Sequence, residues 1–227
     1  MKRRMLEALV AGPRTLSEIC EIVGVERSGS ISDHLEDLET AGFIAAEGGL
    51  LPRTARPLKG VRYRLRDNYT RFFLKFIQPN ADAIDAGAFH FRSLESLRGW
   101  ETVMGLQFEN LVLANLEELL PRMGMDKVMI KSAAPFRQQP TQRHAGCQID
   151  LLLQSDRKVC IVEIKRRREI GSGIEQEIDA KIAALDLPRD ISVRTALVYD
   201  GRLSPEVEGD GYFDVLVPFF ELCELRR

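Results

Sequence analysis

Absences narrow this sequence before any motif does. Its 227 residues include four cysteines and three histidines, with no C-x-x-C pair and no histidine cluster, so a thiolate- or imidazole-built zinc centre is not expected. Three of the cysteines (Cys20, Cys147, Cys160, Cys223 in all) lie in apolar patterns and read as buried thiols of a reducing compartment. No apolar run approaches the length that crosses a bilayer, and no signal-peptide pattern is present, so the expected setting is cytoplasmic with no membrane partner. Charge of one sign is lacking too. The formal net charge is -2, which leaves no global basic field, and any nucleic-acid surface has to be a local patch. What remains is a chain with 44% hydrophobic and 29% charged residues, an ordinary globular mix long enough for one large or two modest domains.

The N-terminal third is patterned as three short helices and a hairpin. Residues 2 to 11 are amphipathic and stop at Gly12-Pro13. Thr15-Leu16-Ser17-Glu18 is a capping-box signature that opens a second helix, closed by Gly24. A third helix is predicted over 29–41 with Ile31, Leu35 and Leu38 on one stripe. Gly42 ends it, Phe43-Ile44-Ala45 starts a strand, and Val61 to Leu65 is its expected partner. That order is the layout of a winged helix-turn-helix. Its recognition helix offers Arg27, Ser28, Ser30 and His34 to DNA, against Asp33, Glu36, Asp37 and Glu39, which would face phosphates badly. The wing supplies Arg53, Arg56, Lys59, Arg62 and Arg64, contacts that would give affinity without sequence information. Packing or partner docking is the alternative use of such a module.

From Asn68 to about Gln78 a connecting helix is predicted, ended by Pro79, with Tyr69, Phe72, Phe73 and Phe76 as a core stripe. Residues 81–100 read as amphipathic helix, and Trp100 to Leu120 as one long helix that carries Glu109 among apolar neighbours. Val128-Met129-Ile130 reads as the first core strand, followed by a polar, arginine-rich loop from Phe136 to Gly146.

Two later strands carry acids where a core should not tolerate them. Gln148 to Leu153 and Cys160 to Lys165 read as a hairpin bounded by Ser155 to Lys158. With a period of two, Glu163 and Lys165 share a face, and Asp150 points opposite to Ile149 and Leu151. Buried carboxylates are costly unless paired or bound to a cation. Two carboxylates and a lysine on neighbouring strands thus suggest a divalent-cation site with a positioned amine. A helix from about Ile174 to Leu185 and strands at Ser192 to Tyr199 and Tyr212 to Val217 complete a β-β-β-α-β order.

The Asp150…Glu163-x-Lys165 pattern resembles the core of the PD-(D/E)xK nuclease superfamily. That resemblance implies Asp150 and Glu163 as ligands of Mg²⁺ (or Mn²⁺), Lys165 orienting water, and Glu109, on the preceding helix, as an outer ligand. Arg143, Arg166 and Arg168 are candidates for phosphate contacts, with Gln176 a further one. The string Tyr63-Arg64-Leu65 to Pro79-Asn80, with Gly105 to Glu109 and the Asp/Glu-x-Lys strands, resembles the C-terminal half of archaeal-type STAND ATPases. In those proteins a winged helix and a nuclease-like domain follow an ATPase. Two departures stand out: no G-x-x-x-x-G-K-[ST] phosphate loop occurs, and Gln148 stands where an acidic residue is common in that family.

The expected fold is therefore α/β (α+β): a winged helix-turn-helix over 1–66, a helical connector over 67–98, and a restriction-endonuclease-like mixed-sheet domain over 99–227. The expected function is a DNA-binding, Mg²⁺-dependent nuclease-like protein. One alternative is a silent, nucleic-acid- or protein-binding half of an ATPase system, with the ATPase in cis or in trans. Another is a winged-helix transcription regulator. Cutting both strands of a duplex would call for a homodimer.

Overall fold

The computed structural model describes residues 1–125, 130–140, 142, 145–185 and 187–224. The chain divides into two compact units, Met1–Glu47 with Lys59–Asn110, and Gly48–Leu58 with Leu111–Arg227. Of the strand expected over 128–130, residues 128 and 129 fall outside the described residues, as does Arg143, and Ile130 is described but lies in no strand.

The first unit is built on α1 (Lys2–Ala8), α2 (Leu16–Val23) and α3 (Gly29–Thr40). Each buries its apolar stripe in one core of Met5, Leu9, Ile19, Val23, Ile31, Leu35 and Leu38. The capping box at the start of α2 forms as the sequence predicts, with Thr15 N–H donating to Glu18 Oε2 at 2.7 Å and Glu18 N–H donating to Thr15 Oγ1 at 3.3 Å. Gly24 ends the helix at φ +70°, a left-handed conformation that its missing Cβ permits. A three-stranded antiparallel sheet closes the module, in the order β1 (Arg14–Thr15), β3 (Arg62–Leu65), β2 (Ile44–Glu47). Ile44 and Leu65, facing each other across β2 and β3, seal the helical core from below.

After β3, α4 (Asn68–Phe72) opens with Asp67 accepting from Thr70 N–H at 2.6 Å, then widens into a π turn over Phe73–Ile77. The widening splits the aromatic stripe. Phe72 and Phe76 pack on Trp100, at ring separations of 6.5 and 5.8 Å, while Tyr69 and Phe73 stay exposed and face each other. The amphipathic helix expected over 81–100 is only α5 (Ala81–Asp85). Gly87, at φ +68°, stops it, and the chain runs on without regular structure except a short turn at Leu94–Ser96. Helix α6 (Trp100–Ala114) follows, and the division between units falls inside it, after Asn110.

The second unit is α7 (Leu116–Leu119), then β4 (Ser132–Gln138), β5 (Cys147–Gln154), β6 (Lys158–Ile170), α8 (Gly173–Ala184), β7 (Ser192–Leu203), α9 (Pro205–Gly209), β8 (Val215–Pro218) and α10 (Phe219–Glu224). The five strands lie in chain order. β4, β5 and β6 are antiparallel, β7 and β8 parallel to the strand before them, with α8 and α9 as crossovers. The protein is thus a mixed α+β chain with an N-terminal winged-helix region and a mixed five-stranded sheet.

Strand β4 corrects the start of the stretch read as a polar loop, over 136–138. Phe136 is buried and pairs with Ile149, whereas Pro135, which has no N–H to give a ladder, sits at a register shift between Ala134 and Phe136. Strand β6 likewise continues through Arg166-Arg167-Arg168 to Ile170, since β7 keeps pairing with it beyond a second shift. Helix α8 lays Ile174 and Ile178 into a core with Leu152, Ile161 and Leu197. The face of the sheet under α8 is where Asp150 and Glu163 lie.

Residues Gly48–Leu58, between β2 and β3 in sequence, belong to this second unit. The Leu50 carbonyl accepts from Gln154 Nε2 at 2.8 Å, and Leu58 packs against the sheet's core. Among the described residues no helix is long and apolar enough to cross a membrane.

Candidate functional site

In the first unit, Arg27, Ser28 and Ser30 are exposed at the start of α3, and His34 is half-buried one turn on. Arg27 lines a cavity of about 320 Å³ with Thr15, Leu16 and Ser17, at the N-terminal end of α2, and with Gly60, Val61 and Tyr63. The exposed guanidinium favours an anion there, whereas the helix end itself is already capped by Thr15 and Glu18. Two of the acids that weighed against α3 are turned back onto the protein. Asp37 pairs with Lys2 at 2.7 Å, and Glu39 accepts from Ala46 N–H at 2.9 Å. Asp33 and Glu36 remain exposed on the helix.

Two of the wing arginines are engaged within the protein. Arg62 Nη2 lies 3.0 Å from Glu18 Oε2 and donates to the Pro13 carbonyl at 2.8 Å, so it staples β3 to α2 instead of awaiting a phosphate. Arg64 is buried, bonded through Nε to Glu47 at 2.9 Å and through Nη1 to Asn110. Arg53 and Arg56 are exposed, but on the segment that belongs to the second unit.

Glu109 sits on α6 in the first unit, where its charge acts on Arg64 and Arg71. Arg71 is fully buried, with Nη2 donating to the Leu65 carbonyl. Burial, then the charge of Arg64, pull its pKa down to about 10, and Glu109 and Glu47 pull the other way. Glu109 thus contributes to the charge balance around two buried arginines.

In the second unit the strand acids and lysine do converge. Asp150, half-buried on β5, accepts through Oδ2 from Ile164 N–H at 3.0 Å, which ties it to β6. Glu163 on β6 is 1% exposed, and Lys165 Nζ lies 2.8 Å from its Oε1. Two residues absent from the sequence expectation complete the cluster. Glu177 on α8 lies 2.9 Å from Lys165 Nζ, and Lys181, one helical turn further, places Nζ 2.5 Å from Glu163 Oε2. The signal for Lys181 was legible. Ile174, Ile178, Lys181 and Leu185 fall on one i, i+4, i+7, i+11 stripe, and a lysine stands where the core-facing pattern calls for an apolar side chain. Gln176 is exposed on another side of α8.

Electrostatics separate the roles. Burial, then the nearby Glu163 charge, push the Asp150 carboxyl up to about 6, partly offset by the Ile164 N–H and the charges of Lys181 and Lys165. Burial opposes the Lys165 charge, but Glu163 and Glu177 outweigh it and hold the ammonium above the ordinary lysine range. Lys165 therefore stays protonated at neutral pH and can donate a hydrogen bond but not accept a proton. Its hydrogen bond to Glu177 in turn holds that carboxyl below the usual range. Of the basic run beyond Lys165, Arg166 pairs with Asp200 at 3.4 Å and Arg168 is exposed. Among the described residues no group of three or more His, Cys, Asp or Glu side chains converges as a metal cluster, so a carboxylate triad is not formed.

Residues 1–46 match the family model described as "Bacterial regulatory protein, arsR family". An uncharacterized protein of Methanocaldococcus jannaschii, MJECL04, is 29% identical over 165 residues, which make up 72% of this chain and 35% of that protein. The chain thus spans about a third of the curated relative it matches. Among solved structures, protein VC1899 from Vibrio cholerae aligns over 99% of this chain and 49% of its own, at 16% identity and a TM-score of 0.41.

Proposed function

We propose that the chain is a DNA-binding protein whose winged helix grips backbone phosphates at the Arg27 edge, and whose second unit is a nuclease-like domain. The first half rests on one observation: exposed Arg27 at the cavity it lines with Thr15, Leu16 and Ser17, in a module similar to ArsR-family regulators. Contacts of that kind release counterions, so affinity should fall steeply with salt. Fluorescence anisotropy with a labelled duplex should show salt-sensitive binding. Arg27→Ala should weaken it by about three- to tenfold, and loss of one phosphate contact should lower the salt slope by about one. Binding that ignores both salt and Arg27 would sink this half.

The second half rests on the convergence of buried Glu163 with Lys165 and Asp150 on adjacent strands. Asp150 and Glu163 offer hard carboxylate oxygens, and Mg²⁺ keeps several waters, so two such ligands suit it. Asp150, raised by burial and by a like charge, is the kind of group that a cation would relieve. The residues fit one Mg²⁺ or Mn²⁺. When bound, such an ion would activate a water and neutralise charge at phosphorus. The chain's own contribution is Lys165, whose ammonium, held by Glu163 and Glu177, would orient a water or a phosphate oxygen. The resemblance to STAND ATPases adds an ATPase module as a partner, in cis or in trans, and double-strand cleavage would add a homodimer.

A winged-helix transcription regulator is the second reading, favoured by the match of residues 1–46. Calorimetric titration with Mg²⁺ and Mn²⁺ separates the two. Micromolar-to-millimolar binding, absent in Asp150→Ala, supports the nuclease-like site. No binding in either protein leaves the regulator.

A further inference from the structure

Glu163 has two carboxylate oxygens, and each already faces an ammonium: Lys165 at Oε1 (2.8 Å) and Lys181 at Oε2 (2.5 Å). The two lysines differ in how they are held. Lys165 has a second partner, Glu177, at 2.9 Å, and would keep an ion pair if it left Glu163. For Lys181 the Glu163 contact is the ion pair that the described residues provide. Lys181 comes from a helix instead of the sheet, on a four-carbon stem, and its side chain is 18% exposed, whereas Glu163 is 1% exposed. Its head can reach solvent by rotating about its own stem without moving the sheet.

We infer that Lys181 is the site's built-in counter-cation: it occupies Glu163 Oε2 in the free protein, and a divalent cation binds by displacing it. This rests on the metal-site reading above and deepens it. The balance of charge requires some such occupant. Without a metal, Asp150, Glu163 and Glu177 carry three negative charges against the two of Lys165 and Lys181, and a buried unpaired carboxylate would be severely destabilising. With Mg²⁺ added and Lys181 still in place, two cations would compete for one oxygen at about 3 Å. Once released, the ammonium stands at the mouth of the site, where the phosphate of a nucleic acid is the natural anion for it. Lys181 thus makes cation loading and backbone binding favour each other, because the phosphate rewards the rotamer that the metal needs.

The test is Mg²⁺ affinity by calorimetry on the full chain, for wild type, Lys181→Met and Lys181→Arg. Methionine keeps the stem and its packing and removes the charge. We expect Lys181→Met to bind Mg²⁺ about tenfold more tightly, the order expected when a competing charge at contact distance is removed. Lys181→Arg, still a cation, should bind no more tightly than wild type. A short duplex should tighten Mg²⁺ binding to wild type by several-fold and leave Lys181→Met unchanged. If Lys181 is merely structural, Lys181→Met binds Mg²⁺ equally or more weakly while wild type binds, and the inference is overturned with the metal site intact. If neither protein binds Mg²⁺ or Mn²⁺, the metal-site reading itself fails and takes this inference with it. Circular dichroism on each variant confirms that the fold is retained.

Discussion

Glu163→Ala should be the most damaging single change in the sheet domain, costing about 3–5 kcal/mol, the range for breaking a buried ion pair by removing one partner. The carboxylate is 1% exposed and holds two ammonium groups on β6 and α8. Removing it leaves Lys165 and Lys181 as like charges facing each other in a half-buried space, and leaves a cavity under α8. Lys165 retains Glu177, and both lysine side chains have some access to water, so the lower end of that range is the better expectation. Urea denaturation at pH 7 measures it. The double variant Glu163→Ala/Lys181→Met should recover part of the loss, because it removes one of the stranded charges. A Glu163→Ala protein as stable as wild type would mean that the cluster is solvated in solution and is no buried site.

Asp150→Asn should do the opposite and stabilise the protein above neutral pH. The folded-state carboxyl titrates at about 6, above its ordinary value near 3.8, because burial and Glu163 disfavour the charge. A raised acid pKa means that the folded state binds the proton more tightly than the unfolded one. Its contribution is fully favourable below about pH 4 and is lost as pH rises through 6. Two pKa units correspond to roughly 2–3 kcal/mol, so above pH 7 the ionised Asp150 costs the fold up to that amount. Asparagine keeps an oxygen to accept from Ile164 N–H and carries no charge. We expect a gain of about 2 kcal/mol at pH 8 that shrinks to near zero at pH 4, read by denaturant unfolding at both values. Equal gains at the two pH values would show that charge is not the cause. A carboxyl that costs its own fold stability once ionised, beside a second carboxylate, is the kind of trade-off that functional sites show.

These two acids were visible in the sequence for the same reason that they are informative in the structure. Charges inside apolar β runs violate the strand pattern, and violations of pattern are rare enough to mark a site. Glu109 violated a helical pattern in the same way, and its charge acts on Arg64 and Arg71. The pattern says that a buried charge needs compensation but not who compensates it. Arg62 and Arg64 in the wing show the same limit. A count of arginines in Arg53 to Arg64 measures local charge, whereas Arg62 and Arg64 had already been claimed by Glu18 and Glu47 through contacts 44 and 17 residues away in sequence.

The sequence by itself determined the three helices of the winged module, through capping at Thr15, the left-handed stop at Gly24 and the Ile31-Leu35-Leu38 stripe. It determined the β5–β6 hairpin and the shared face of Glu163 and Lys165 as well. These follow from periodicity and local backbone chemistry, which act within a few residues. Only the tertiary structure decided that a proline-bearing stretch would become β4, that Gly48–Leu58 would belong to the sheet domain, and that Lys181 would reach across from α8 to Glu163. Each of these depends on which distant segment supplies a hydrogen-bond partner, an apolar surface or a counter-charge. Those supplies are set by how the chain comes together in space, at separations no local pattern records.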